Sequence, residues 1–231
     1  LPGFQSLVEG MTWLINFFYR LTQDMGIPSY GLAIIIFTVV VKTALLPLTI
    51  KQMKSMKAMQ VIQPKIKEIQ EKYKDPQKAQ QAIMEVYKEH GANPFSGCLP
   101  ILLQMPIFIA LFTALKNFKY INEAHAVFLG VFHLSNKDPY FILPVLAGLS
   151  TYLQQRLSTT NLDDPTQKTM LYMMPVMFAW FASTVPSGLA LYWVVFNVFG
   201  TVQQFFFNKQ PIALKEDRED NEGSRKKRKN N

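Results

Sequence analysis

Gly31–Ile50 reads GLAIIIFTVVVKTALLPLTI, and Lys42 is its one charge. About 20 apolar residues, rising ~1.5 Å each, carry a helix across the hydrocarbon core of a bilayer. The stretch reads as a membrane span and sets the class of everything around it. Two more stretches reach that length without a charge: 95–115, FSGCLPILLQMPIFIALFTAL, and 187–207, SGLALYWVVFNVFGTVQQFFF. Two are shorter, 140–153 (YFILPVLAGLSTYL) and 170–185 (MLYMMPVMFAWFASTV). As helices they measure roughly 21 and 24 Å.

Composition points the same way. The 231-residue chain is 49% hydrophobic, with 18 Phe and 11 Met, yet its charges fall in blocks. Apolar runs between charged blocks mark a polytopic membrane protein rather than a soluble domain. A single cysteine, Cys98, excludes an intrachain disulfide.

Of 24 Lys and Arg, nine lie in 51–90, two in 154–168 and eight in 209–231. If both short segments cross, these rich blocks share one side, and the positive-inside rule makes that side cytoplasmic. The expected fold is all-α and polytopic, with five transmembrane helices, the N-terminus outside and the C-terminus inside.

Two helical additions are expected. In 4–26 the polar residues Gln5, Glu9, Thr12, Asn16, Arg20 and Gln23 recur every three or four positions. Phe4, Leu7, Met11, Leu14, Phe18 and Leu21 cover the other face. This is an amphipathic helix lying at the outer interface, ended by Gly26 and Pro28. In 51–90, Met53, Met56, Met59, Ile62, Ile66, Ile69 and Tyr73 form one helical stripe, and Ala79, Ile83 and Val86 form a second. Between them KDPQ provides Asp75 as a cap and Pro76 at the first helical position. The result is a cytoplasmic antiparallel helical hairpin, lysine-rich outside and methionine-bearing, suited to docking and to anionic headgroups. The tail, with Arg225–Lys229 as its basic run, lacks apolar periodicity and reads as disordered. The chain then divides into 1–28 (interfacial helix), 29–52 (first span), 53–92 (hairpin), 93–208 (four-span remainder) and 209–231 (basic cytoplasmic tail).

Lys42 needs an explanation. A lysine facing lipid at mid-depth costs at least ~2.5 kcal/mol. No Asp or Glu lies in any of the five spans to pair with it. Polar groups are available: Thr38 one turn away, Gln104 in the second span, and Asn197, Thr201, Gln203 and Gln204 in the last. Together these favour a hydrated cavity holding an unpaired cation, which attracts an anion. No phosphate loop, metal-ligand spacing or nucleophile-and-base set accompanies it, and His90, His125 and His133 fall outside the spans. The reading is therefore not an enzyme, with no cofactor and no metal. The alternative is a small anion channel or transporter, although no internal repeat supports it.

GCLPILLQMPIFIALF (97–112) after NPFS, LPLTIKQMKSMKAMQVIQPKI after the first span, and PSGLALYWVVFNVFGTVQQ at the last resemble the YidC/Oxa/Alb membrane protein insertases over about residues 4–208. The lack of a large extracytoplasmic domain resembles the Gram-positive-type branch. The resemblance implies a monomeric insertase of the bacterial plasma membrane, working without ATP hydrolysis. It implies a groove open to cytoplasm and lipid, whose cation draws in the acidic ends of nascent membrane proteins. Lys42 stands where the family carries arginine, a departure because lysine can lose its charge. Gln104 and Trp193 match groove-lining positions, and Thr38 and Tyr192 match less closely. The implied partners are nascent membrane proteins with acidic extracellular segments, the ribosome through the basic tail, a Sec translocon and the signal recognition pathway, and the lipid bilayer.

Overall fold

The computed structural model describes residues 2–90, 99–116, 118–159 and 165–209. The basic run of the tail, and the NPFS and first two residues of the 97–112 motif, lie outside the described residues. Among the described residues, eight α-helices follow in order: α1 (Pro2–Asp24), α2 (Tyr30–Ala44), α3 (Leu46–Lys72), α4 (Pro76–Glu89), α5 (Leu99–Lys116), α6 (Ile142–Ser158), α7 (Pro165–Thr184) and α8 (Ser187–Asn208). Between α5 and α6 stand a 3-10 turn (Glu123–Ala126) and two short strands, β1 (Val127–Phe128) and β2 (Phe132–His133).

The chain reverses after α1 at Gly26, whose φ of 78° puts it in the left-handed region that suits glycine. Ser29 then caps α2 by accepting the Leu32 N–H at 3.3 Å. Between α2 and α3 the path bends by 62° at Leu45. Pro47 gives the reason: it has no N–H for the Thr43 carbonyl, and its ring crowds that carbonyl in a continuous helix. The break falls at Leu45, and α3 runs without interruption through positions 52 and 53.

α3 and α4 turn back on one another. Asp75 accepts the Gln77 N–H at 2.9 Å and Pro76 opens α4. Ile62, Ile66 and Ile83 form a small core of their own, flanked by Met59, Ile69, Val86 and Tyr87. The main core lies elsewhere, where α2 and α8 meet α1, α5 and α6: Ile15, Tyr19, Tyr30, Ile34, Phe37, Leu111, Ala147, Leu189 and Tyr192 are all buried there.

α1 has three faces rather than two. Met11, Ile15, Phe18, Tyr19 and Thr22 are buried against the protein. Trp13, Phe17 and Leu21 form a second apolar face that is exposed. Glu9, Arg20 and Gln23, also exposed, lie on the third. The sequence pattern joined the two apolar faces into one, because periodicity separates polar from apolar but not protein-facing from outward-facing.

The strands were not anticipated. β1 and β2 pair antiparallel, with Val127 opposite His133 and Phe128 opposite Phe132. Two residues per strand leave no alternation to read. Leu134 N–H bonds back to the Ala126 carbonyl, and the Leu134 and Asn136 carbonyls accept the Gly188 and Ser187 N–H groups. The loop is thereby laced to the start of α8. Asp138, itself buried, accepts the Tyr140 and Leu143 N–H groups at 2.9 and 2.7 Å and fixes the entry to α6.

Among the described residues, Ser187–Asn208 is the helix long and apolar enough to cross a membrane unbroken. α2 and α3 qualify only as a bent pair, and the apolar part of α5 described in full, Gln104–Lys116, is shorter. α6 and α7, which the sequence reading also counts as spans, have 17 and 20 residues.

Candidate functional site

α8 carries the polar residues of the site, because small and polar positions interrupt its apolar sequence where α2 and α6 pack on it. Lys42 projects from the last turn of α2 toward α8 and is only 6% exposed. Its Nζ stands 3.4 Å from the centroid of the Phe196 ring. Gly200 lies one turn below Phe196. A Cβ there would fall 3.1 Å from Lys42 Nζ and 2.6 Å from Gln154 Nε2 of α6. The missing side chain at Gly200 is what lets the two nitrogens converge. Both are N–H donors, and neither has a hydrogen-bond acceptor among the described residues. No carboxylate of the described residues reaches the ammonium.

The Phe196 ring and the α8 backbone at Gly200 line the space around the ammonium. A cation over a desolvated ring gains about 2 kcal/mol, comparable with the insertion cost of ~2.5 kcal/mol. The three N–H bonds of the ammonium still lack acceptors.

The polar groups continue along α8. Asn197 Nδ2 donates to Thr151 Oγ1 at 2.8 Å and to Ser150 Oγ at 3.3 Å. Trp193 Nε1 donates to the same Thr151 Oγ1 at 3.0 Å, and its ring stacks on Phe178 at 4.2 Å. Gln104 Nε2 donates to the Tyr192 hydroxyl at 2.6 Å, joining α5 to α8. Tyr192, Trp193 and Phe196 are neighbouring rings, 5.7 and 6.4 Å apart across Phe196. Phe196 therefore links Lys42 to both residues. Thr38 does not join the set: its hydroxyl donates within α2, to the Ile34 carbonyl at 2.6 Å. Further along, Thr201 Oγ1, both side-chain polar atoms of Gln203, and Gln52 Nε2 on α3 are buried without a hydrogen-bond partner. Buried polar atoms of this kind are normally satisfied by ordered water. Gln204 is tied instead to Asn208, whose amide donates to the Leu157 carbonyl at the end of α6.

Sequence reading located Lys42, Gln104, Tyr192, Trp193 and Asn197. It missed Ser150, Thr151 and Gln154, which form a polar strip in an apolar helix, and it missed Phe196 and Gly200, which carry no polar signal at all.

A model of the 60Kd inner membrane protein family matches residues 20–215. The chain belongs to that family. Within it, the membrane protein insertase YidC of Wolinella succinogenes is 52% identical over 188 residues, 81% of this chain and 35% of the relative. The YidC proteins of Campylobacter jejuni and Haemophilus influenzae are 44% and 46% identical, over 89% and 84% of this chain and 38% and 37% of theirs. An active YidC insertase crystal structure, with its first transmembrane domain resolved, superposes with a TM-score of 0.70 at 30% identity, covering 88% of this chain and 46% of that one. The chain thus spans little more than a third of the length of these curated relatives. These matches bear out the resemblance to YidC proteins and do not separate the branches of the family.

Proposed function

We propose that this chain is the membrane-embedded core of an insertase, which draws the acidic, hydrophilic ends of nascent membrane proteins into the interior of the bundle and releases their apolar segments into lipid. The observation that carries this reading is the Lys42 ammonium, enclosed at the α2–α8 contact without an acceptor, in a family whose relatives are named insertases. An arriving carboxylate supplies the acceptors that the Phe196 ring cannot, and Gln154 adds a second donor. The orphaned polar atoms of Gln52, Thr201 and Gln203 call for water beyond Lys42 on that side of the bundle. The membrane potential adds about 2.3 kcal/mol per charge per 100 mV on a negative segment moving outward. No nucleotide is required.

In this reading α2, α5, α6, α7 and α8 are the five spans, with the N-terminus outside and the C-terminus in the cytoplasm. α1 lies in the outer interface, with Trp13, Phe17 and Leu21 toward lipid. The α3–α4 hairpin and the basic tail face the cytoplasm, where they receive substrate from the ribosome, the signal recognition pathway or a Sec translocon. The protein works as a monomer. No observation favours the anion-channel alternative.

The test replaces Lys42 by Arg, Gln and Glu and follows insertion of a substrate with an acidic extracellular end into reconstituted vesicles. Arg retains insertion, Gln loses most of it and Glu abolishes it. Equal insertion by all three overturns the reading.

A further inference from the structure

The loop between α5 and α6 ends in a feature that neither the site nor the core explains. In the three-residue loop 129–131 between β1 and β2, Leu129 has a φ of 53° and Gly130 of 70°, the two left-handed central residues of a β-turn closed by the Val131 N–H on the Phe128 carbonyl at 3.2 Å. Glycine, asparagine or aspartate suits such positions, whereas a bulky residue there is a genuine outlier. Leu129 nevertheless occupies the first and is 74% exposed. The same choice recurs at the entry to α6, where Phe141 has a φ of 57° and is 59% exposed. At two separate places the backbone accepts strain and turns a large apolar side chain outward.

Neighbouring residues show what those side chains meet. Val131 flanks Leu129 on the turn, and Tyr140 precedes Phe141; both are exposed. Ile142 and Val145 continue the apolar surface along α6. Lys137, also exposed, precedes Tyr140 by three residues in the chain. An apolar surface bordered by tyrosine and lysine has the composition of a membrane–water boundary, where the ring and the ammonium meet headgroups and the apolar body meets acyl chains. Continuity with α6 favours lipid over a protein partner, because an outward apolar face on a spanning helix meets lipid. We infer that the β1–β2 turn and the Tyr140–Phe141 corner form a lipid-inserting anchor, seating the outer end of the bundle in an anionic headgroup layer. The inference rests on the reading that this loop lies on the outer face.

The experiment uses the full chain in nanodiscs of phosphatidylcholine and phosphatidylglycerol, in which both faces are open to solvent. In a Cys98→Ser background, an environment-sensitive fluorophore is attached through Leu129→Cys, through Val131→Cys, and through Lys74→Cys in the α3–α4 turn as the water-exposed reference. The labels at 129 and 131 are expected to emit to the blue of the label at 74, to resist iodide, and to be quenched by lipids spin-labelled at a shallow acyl position. Iodide quenching equal to that at 74 overturns the anchor. So does protection without quenching by the spin-labelled lipid, which places the label inside protein. Protection that arises only on adding a membrane extract overturns it in favour of a protein partner. None of these readouts measures insertion, so the anchor can fail while the Lys42 series succeeds, and the reverse.

Discussion

The two ends of the helix bundle are built on opposite terms. At the end near Tyr30, rings and bonds close on one another. Tyr19 and Tyr30 stack at 3.9 Å, and Phe118 and Tyr120 meet Tyr30 edge-on. The Tyr30 hydroxyl accepts the Ile121 N–H at 2.9 Å and donates to Asn16, while Tyr19 bonds to His125 at 2.7 Å. Burial pushes the Tyr120 phenol above its ordinary pKa, and its hydroxyl is buried without a hydrogen-bond partner. His133 Nδ1 lacks a partner there, although its other nitrogen faces Glu123 at 3.8 Å. Along α8 beyond Phe196 the reverse holds: an ammonium without an acceptor among the described residues, and orphaned polar atoms on Thr201 and Gln203, with Gln52 on α3 a third such residue. The difference teaches that ring packing and hydrogen bonds fill one end, whereas helix packing at the other leaves a cation and amides unmatched.

Breaking the closed end should have the largest effect. Tyr30→Ala removes a stacked ring, two edge contacts and a hydrogen bond to the loop. We expect a loss of about 3–5 kcal/mol, read as a large drop in thermal unfolding temperature in detergent. A drop no larger than that of a surface substitution would show that the closed end is not a structural seal.

The other end should respond with the opposite sign. Lys42→Met keeps a flexible apolar stem and removes an uncompensated cation. The expected gain is on the order of 1–2 kcal/mol, measured by the same unfolding assay, accompanied by loss of insertion of acidic substrates. Destabilisation would mean that the ammonium already has the partner it needs. The smallest effect is expected at Gln203→Leu, which removes two orphaned atoms and gains about 1 kcal/mol or less. A loss there would mean that ordered water already satisfies the amide.

Much of this architecture is local chemistry and was legible. Asp75 and Pro76 announce the turn between α3 and α4, Gly26 and Pro28 end α1, and Lys42 declares itself by its cost in an apolar run. Other features were not legible, for reasons specific to each. β1 and β2 are too short to show a period. α1 divides its apolar residues between two environments that share one hydrophobicity. Thr38 looks polar in sequence but bonds within its own helix. Gln154 was passed over because it lies just beyond the apolar run 140–153, beside Gln155 and Arg156, where it reads as the polar end of a helix. Its importance comes from lying opposite Gly200.

By itself the sequence determined the helical class, the α3–α4 turn, and the presence of a costly cation on the first apolar helix. Those features follow from hydrophobic periodicity, capping chemistry and the price of burying charge, each readable within a few turns of chain. Only the tertiary structure decided what Lys42 faces: a ring from Phe196, the gap left by Gly200 and the amide of Gln154, brought together from α8 and α6. The electrostatics of a buried charge depend on the groups within a few ångströms of it. Those groups are far away along the chain and become neighbours only when the helices pack.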